Sequence, residues 1–285
     1  MKKFLLCPSV SRDTGLELTR KVDGIVRKMG GTAVVCPLDD GEGGALPGGL
    51  VYSVLEREAG DAFMAIAFGG DGTILRTARA VGEYNVPILA VNMGNIGFMA
   101  ELAPDDIFRI KDIFDGNYRI NRRIMIDASL VREGREIYSD FALNDVVIKG
   151  VTKVIDIEVS GDGQPIYHFS GDGAVIATPT GSTAYSMSAG GPIVEPDADN
   201  IIITPICAHA LLARSFVLSP RRRVSILVGS EKTNAAYMSV DGREARDVRP
   251  GDVINIWVSD RVTELVQLSN KSFYRKVYEK LGEKR

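Results

Sequence analysis

Two segments rich in glycine and hydroxyl side chains contain the residues whose types and spacing could do chemistry. The first, Gly-Gly-Asp-Gly-Thr at 69–73, follows an apolar run and opens a helical pattern. Glycines at such a point let backbone N–H groups face phosphate, and a helix N-terminus favours negative charge. A carboxylate beside phosphates repels them unless it holds a divalent cation or accepts a proton, so Asp71 indicates phosphoryl transfer. A tight turn with Asp71 or Thr73 as helix N-cap is the structural alternative.

The second segment spans residues 178–192 and reads TPTGSTAYSMSAGGP. Its hydroxyls and backbone groups can bond base edges, a carboxamide or phosphate oxygens, and Tyr185 offers a stacking face. The alternative is a flexible serine-rich loop, although Ile176, Val194 and the interleaved alanines favour a packed segment. The chain contains no G-x-x-x-x-G-K-[ST] and no G-x-G-x-x-G after its first strand, so neither a P-loop nor the ordinary Rossmann fingerprint is present.

The elements that must position these segments differ between the two parts of the chain. Up to about residue 120, apolar runs alternate with helical patterns, which predicts a parallel sheet covered on both faces. The apolar runs are 3–8, 32–36, 62–68 and 87–92, and the helical patterns are 14–29, 51–59, 73–84 and 104–115. Alternating strands follow. We predict an α/β domain at 1–122 carrying GGDGT, a β-rich, sandwich-like domain at 123–267, and a C-terminal segment, 268–285, whose amphipathic helix packs back on the first domain.

Composition narrows the class of protein. Among 285 residues, 37 acidic and 34 basic side chains give a net charge of −3, which argues against a nucleic-acid-binding surface. The apolar run at 4–7 is too short for a leader, and the longest uncharged stretch, 173–194, is rich in Gly, Ser, Thr and Pro, which argues against a membrane span. Three widely spaced cysteines in apolar segments predict buried free thiols, and hence a cytoplasmic enzyme.

Several motifs together resemble the NAD kinase family. They are GGDGT at 69–73, NMGNIGF at 92–98, LNDVV at 143–147, SGDGAVIATPTGSTAYSMSAGGPIV at 170–194, TPICAHAL at 204–211, SVDG at 239–242 and ELVQLSNKSFY at 264–274. The resemblance covers nearly the whole chain in the family's order. Diacylglycerol and sphingosine kinases share GGDGT, so a lipid kinase is the second hypothesis and a non-catalytic NAD(H)- or NADP-binding regulatory module the third.

On the donor side, the resemblance implies that Asp71 is the catalytic carboxylate, which acts on the 2′-hydroxyl of the NAD adenosine ribose as a base or through a metal. Gly70, Gly72 and Thr73 would cradle the phosphates. The donor would be ATP, with another nucleoside triphosphate or polyphosphate as the alternatives. Mg²⁺ or Mn²⁺ would be held mainly by the donor phosphates, because no group of His, Cys and carboxylate has transition-metal spacing.

On the acceptor side, the resemblance implies that Asn144 and Asp145 position the adenosine ribose. Position 145 is Asp where many relatives have Glu, which shortens the reach by one methylene. The base-binding groove and the nicotinamide carboxamide would be contacted by five further residues: Thr183, Ala184, Tyr185 and Ser188 for the groove, and Asp172 for the carboxamide. The resemblance also implies a homodimer or homotetramer with the Asp172 segment near a neighbouring subunit.

Three other groups remain outside this assignment. The position of Asp241 relative to the site stays open. His209 lies in an uncharged segment and is predicted to be a structural histidine, and Arg221–Arg223 is predicted to be a solvated turn, with contact to the donor phosphates as the alternative.

Overall fold

A computed structural model describes residues 1–38, 48–94, 97–209, 213–229 and 235–282 of the chain. The chain forms two compact units, one of residues 1–122 with 261–285 and the other of residues 123–260. Residues 261–267, which the sequence predicts in the second domain, belong by their contacts to the first unit. Within the described ranges, no helix is long and apolar enough to cross a membrane.

The first unit is built on a parallel sheet with the strand order β2-β1-β3-β4. The strands are β1 (Lys3–Pro8), β2 (Thr32–Val35), β3 (Met64–Gly69) and β4 (Ile88–Asn92), and the helices are α1 (Glu17–Lys28), α2 (Leu55–Glu58), α3 (Asp71–Val81) and α4 (Ile110–Phe114). All six residues of β3 are buried, because the strand is covered on both faces. This confirms the predicted α/β fold.

The predicted helix at 51–59 is wrong over its first half. Val51 and Ser53 instead extend along β2, where the Val35 N–H donates to the Val51 carbonyl (2.7 Å) and the Ser53 N–H donates to the Val35 carbonyl (3.0 Å). Pairing with a strand edge satisfies these backbone groups better than a short isolated helical turn would. The helix therefore begins only at Leu55.

The second unit is almost wholly antiparallel β-structure. Its elements are β5 (Arg119–Arg132, of which 119–122 belong to the first unit), β6 (Arg135–Ala142), β7 (Asp145–Gly150), β8 (Ile155–Gly161), β9 (Gln164–Gly171), β10 (Gly173–Ala177), α5 (Tyr185–Ser188), β11 (Ile201–Ile206), β12 (Phe216–Leu218), β13 (Val224–Val228), β14 (Ala236–Val240), β15 (Arg246–Val248) and β16 (Val253–Gln267). One sheet has the order β12-β11-β10-β7-β14-β15 and another contains β9-β8-β13-β16. Inward-facing residues from both, such as Ile148, Ile157 and Ile176, share one core. The predicted β-rich, sandwich-like domain is confirmed.

The last strand, β16, leaves the second unit and completes the first. Leu265, near its end, pairs in parallel with Ile88 of β4. The Glu101 carboxylate then accepts hydrogen bonds from the N–H groups of Leu268 (2.9 Å) and Ser269. The segment that follows β4 and the end of the chain are therefore joined by backbone hydrogen bonds to a buried carboxylate.

The C-terminal helix α6 (Phe273–Leu281) packs on the first unit, as predicted, but through its lysines. The Lys276 Nζ donates to the Ala100 carbonyl (3.0 Å), and the Lys280 Nζ lies 4.0 Å from the centre of the Phe98 ring. Tyr278 is exposed. Polar and cation–π contacts from its lysines therefore attach this helix to the first unit.

The prediction of three buried thiols is wrong for one cysteine. Cys7 and Cys36 are buried, and burial raises the pKa of the Cys36 thiol to about 12. Cys207 is exposed because it follows the end of β11 and turns the chain outward with a φ of +47°.

Candidate active site

The Asp71 carboxylate lies at the carboxyl end of β3, at the first residue of α3. Gly70 occupies the N-cap position, so the alternative in which Asp71 caps the helix does not hold. The two carboxylate oxygens instead accept hydrogen bonds from the N–H groups of Phe98 (3.2 Å) and Met99 (3.4 Å). A Cβ on Gly97 would lie 2.1 Å from Asp71 Oδ1, so only glycine allows this close approach. The loop after β4 therefore orients the carboxylate.

The rest of the GGDGT loop presents backbone rather than hydroxyl to its surroundings. Gly72 is exposed and Gly70 partly exposed, whereas Thr73 is buried. A side chain on Gly69 would collide with the Thr73 hydroxyl, which shows that this hydroxyl packs inward over the end of β3. The groups of this loop that remain open to a ligand are the backbone of Gly70 and Gly72 and the Asp71 carboxylate.

In the second unit, Asn144 and Asp145 stand at the start of β7. Asn144 is nine-tenths buried, and its Oδ1 has no hydrogen-bond partner among the described residues. A buried acceptor without a donor is costly, so such an atom indicates a ligand hydroxyl or amine. Asp145 is also buried, and burial together with the neighbouring Asp241 raises its pKa to about 7.

Asp241 holds this pair in place from β14's end. Its carboxylate accepts hydrogen bonds from three consecutive N–H groups, those of Leu143 (2.9 Å), Asn144 (2.8 Å) and Asp145 (3.1 Å). Burial raises the pKa of Asp241, and the three N–H donors partly offset this effect. Asp241, whose place the sequence left open, is a residue that shapes the Asn144–Asp145 turn; the SVDG motif is the sequence signal that marks it.

The segment 178–192 is packed, which excludes the flexible-loop alternative. The Thr178 hydroxyl donates to the Leu143 carbonyl (2.6 Å), and the Ser182 hydroxyl donates to the Pro179 carbonyl (2.6 Å). A Cβ on Gly181 would lie 2.0 Å from the Asn144 carbonyl oxygen. Several hydroxyls that the sequence offers to a ligand are therefore used internally, and they bind this segment against the Asn144 turn.

The four residues assigned to the base-binding groove all keep exposed surface: Thr183, Ala184, Tyr185 and Ser188. Thr183 and Ala184 lie between the Gly181 turn and the short helix α5, and Tyr185 and Ser188 are the first and last residues of that helix. The Tyr185 ring packs at the edge of a small apolar cluster that contains Val147 and Val175. The turn at Gly181, which precedes these residues, packs against the Asn144 backbone.

Asp172 lies at the other end of the same strands. In the β7–β10 pairing, Ala177 is opposite Asp145, whereas Gly173 is opposite Lys149. Asp172 and Thr178 are thus separated by the full length of β10, roughly 20 Å at the usual rise per residue. One chain does not bring Asp172 to the Asn144 turn.

The remaining candidates lie apart from these groups. His209 is exposed, and its N–H donates to the Ser170 carbonyl (2.8 Å). Arg222 pairs with Asp162 (2.6 Å) at the surface, and the Arg223 guanidinium lies 4.9 Å from the centre of a tryptophan ring. These contacts agree with a solvated turn at 221–223. In the part of the chain that the structure describes, no three His, Cys or carboxylate side chains form a metal-binding group.

An α/β unit with an oriented carboxylate in a glycine-rich loop, followed by a β unit that carries a packed, hydroxyl-rich segment, is the arrangement of a two-domain nucleotide phosphotransferase. Comparison with known families agrees: residues 41–118 match the ATP-NAD kinase N-terminal domain and residues 143–268 the ATP-NAD kinase C-terminal domain. The NAD kinase of Ruminiclostridium cellulolyticum is 34% identical over 100% of this chain and 99% of its own, and that of Acetivibrio thermocellus is 36% identical over 96% and 95%. The chain belongs to the NAD kinase family, as its motifs predict.

Solved structures share the fold. The yeast NADH kinase complexed with NADH superposes with a TM-score of 0.88 at 23% identity, covering 100% of this chain and 88% of its own. An NAD kinase from Archaeoglobus fulgidus in complex with ATP gives a TM-score of 0.75 at 22% identity and covers 99% of this chain and 98% of its own. Both similarities extend across the two units.

Proposed function

We propose that this chain transfers the terminal phosphoryl group of ATP to the 2′-hydroxyl of the adenosine ribose of NAD, which gives NADP and ADP. The observation that carries the proposal is the Asp71 carboxylate, oriented by the Phe98 and Met99 N–H groups at the end of a parallel strand. Ligands of open α/β sheets bind at this edge. Membership of the NAD kinase family supports the same reaction.

In this reaction, Asp71 accepts the proton of the 2′-hydroxyl while that oxygen attacks the terminal phosphorus. A new ribose oxygen–phosphorus bond forms, the bond from phosphorus to the bridging oxygen breaks, and ADP leaves with that oxygen. A positioned general base typically contributes about 10²–10⁴-fold to the rate. The backbone of Gly70 and Gly72 faces the donor phosphates, and Thr73 supports the loop from inside.

A divalent cation fits this site only as a partner of the donor phosphates. The described residues offer no cluster of three ligating side chains, and Asp71 is the carboxylate of the GGDGT loop itself. Mg²⁺ or Mn²⁺ prefers oxygen ligands and retains several waters, so donor phosphates with at most Asp71 would hold it. When bound, such a cation neutralises phosphate charge.

The acceptor groove of the proposal lies in the second unit. The unpartnered Asn144 Oδ1 and the Asp145 carboxyl group would bind ribose hydroxyls, and Tyr185 would contact the base. Thr183, Ala184 and Ser188 would line the rest of the groove. Buried polar groups of this kind reject an analogue that lacks the matching hydroxyl more strongly than an apolar pocket does.

The assembly and location follow from the same proposal. Because Asp172 is roughly 20 Å from the Asn144 turn along β10, it would meet the nicotinamide carboxamide of NAD bound to a neighbouring subunit of a homodimer or homotetramer. The buried free thiols of Cys7 and Cys36 suit a reducing, cytoplasmic compartment. Light scattering of the active protein tests the assembly, and a fully active monomer would contradict it.

The test combines the purified protein with NAD, ATP and Mg²⁺ and detects NADP with an NADP-specific dehydrogenase. Asp71→Asn should reduce kcat by about 10²-fold or more while NAD still binds, because Asn cannot accept the proton. Asp115→Asn, at an exposed carboxylate of the same unit, is the matched control and should behave as wild type. Label from ATP on diacylglycerol or sphingosine but not on NAD, or an Asp71→Asn variant with more than about a tenth of wild-type kcat, would refute the proposal.

A further inference from the structure

Arg12 lies in the turn that follows β1, beside the GGDGT loop. The turn is joined to the end of β3, because the Ser9 N–H donates to the Phe68 carbonyl (2.9 Å) and the Arg12 N–H donates to the Ser9 carbonyl (3.0 Å). Asp13 connects the turn to α1, because its buried carboxylate accepts hydrogen bonds from the N–H groups of Leu18 (3.0 Å) and Thr19 (2.9 Å). The parallel pairing of β1 with β3 thus delivers Arg12 to the edge of the sheet that carries Asp71.

The Arg12 guanidinium lies between two glycine-containing loops. Its Nη1 donates to the Met93 carbonyl (3.0 Å) after β4. A Cβ on Gly70 would be 3.1 Å from the same nitrogen, and a Cβ on Gly94 would be 2.9 Å from it. The cation therefore rests on the backbone of both loops, where a side chain at either position would displace it.

The exposed part of this guanidinium is suited to phosphate. Arg12 is exposed, and within the described residues the Met93 carbonyl is the one acceptor of its guanidinium N–H groups. A planar guanidinium binds phosphate oxygens in pairs, which a point charge cannot do. The GGDGT loop itself contributes a negative charge, Asp71, so a donor polyphosphate there needs a cation in addition to backbone N–H groups.

We propose that Arg12 binds the phosphates of the phosphoryl donor at the GGDGT loop. This inference rests on the proposed function, because that function places ATP at this loop. The residue lies 59 positions before Asp71 in the chain and belongs to none of the motifs of the sequence analysis. Only the pairing of β1 with β3 reveals it.

The experiment compares Arg12→Gln and Arg12→Lys with a matched control, Arg20→Gln. Arg20 is an exposed arginine of the same unit that also donates to one backbone carbonyl, that of Gly48 (3.3 Å). KM values for ATP and for NAD and kcat are measured for each variant, and ATP binding without NAD is measured by calorimetry. Thermal melting verifies that each variant is folded.

Arg12→Gln should raise the KM and the dissociation constant for ATP by about tenfold or more, the loss expected for hydrogen bonds to a charged group. The KM for NAD should stay within about twofold, the size of effect expected of a surface substitution outside the acceptor site. Arg12→Lys should fall between wild type and Arg12→Gln, and Arg20→Gln should match wild type.

An Arg12→Gln variant that binds ATP as Arg20→Gln does, in a protein that makes NADP, would overturn the inference and leave the proposed function intact. A wild-type protein that makes no NADP would overturn the proposed function; ATP binding without NAD would then still decide whether Arg12 binds the donor. An equal rise of the two KM values in Arg12→Gln would also refute the inference, because it would indicate a general disturbance of the fold.

Discussion

Replacing Asp145 by Asn should make the stability of this protein less sensitive to pH. Asp145 is 5% exposed, and burial together with Asp241 raises its pKa from the usual 3.8 to about 7. Between these two values the folded protein keeps a proton that the unfolded chain has lost. The free energy of unfolding therefore falls as the pH rises through this window, because the folded state binds more protons.

The size of this effect follows from the shift. A rise from 3.8 to about 7 corresponds to roughly 4 kcal/mol of lost stability at high pH, of which more than half develops between pH 5 and pH 8. Asn has the shape of the neutral acid and does not titrate. The Asp145→Asn variant should therefore gain about 2–3 kcal/mol relative to wild type when the pH is raised from 5 to 8.

The assay is denaturant unfolding of both proteins at pH 5 and pH 8 without nucleotide. Asp162→Asn is the control, since Arg222 and the Arg223 N–H lower the pKa of this exposed carboxylate, so it stays ionised across the whole range. Its difference from wild type should not change between the two pH values. A difference for Asp145→Asn that also stays constant would refute the reasoning, because Asp145 would then be ionised in the folded protein at pH 5.

Three further substitutions test the geometry of the site. Gly97→Ala should lower kcat by about 10²-fold, because the new methyl group lies 2.1 Å from Asp71 Oδ1 and must displace the carboxylate. The control, Gly24→Ala, should leave kcat unchanged, because its methyl group meets no atom within 4 Å. Equal kcat values for the two variants would contradict the argument. Tyr185→Ala should raise the KM for NAD by the equivalent of about 0.5–1.5 kcal/mol, whereas Tyr185→Phe should not; an unchanged KM in the first would place the base elsewhere. Arg123→Met removes a buried guanidinium that donates to a hydroxyl of the TPTG turn and should raise the KM for NAD with little change in kcat, a split that a loss of folded protein would not produce.

Local sequence patterns account for the parts of this molecule that depend on neighbouring residues. The bounds of β1 at 3–8 and the position of the GGDGT loop between β3 and α3 follow from apolar runs ended by proline or glycine. Such runs are buried on both faces, and their hydrophobicity alone sets the fold class. The same reasoning places Asp71 at the end of a strand.

Contacts between distant residues could not be predicted in this way. Asp241 reaches the Asn144 turn because β14 pairs with β7, with Val240 opposite Val146, and no local pattern specifies that register. The burial of the Thr73 hydroxyl likewise depends on how α3 packs against the end of β3. The site residues are thus found from motifs, whereas the contacts through which other groups orient them are found only from the tertiary structure, even where a motif such as SVDG marks the group.

The first unit contains both ends of the chain, so a ribosome can complete it only after the second unit has been synthesised. Residues 123–260 form one continuous stretch, but the sheet edge at β4 stays open until 261–285 have been synthesised. The loop whose N–H groups orient Asp71 is followed directly by Ala100 and Glu101, which bond to the C-terminal segment. A chain interrupted before residue 261 thus lacks the C-terminal contacts to Ala100 and Glu101, next to the loop that orients Asp71, so we expect premature termination to weaken the donor half of the proposed site.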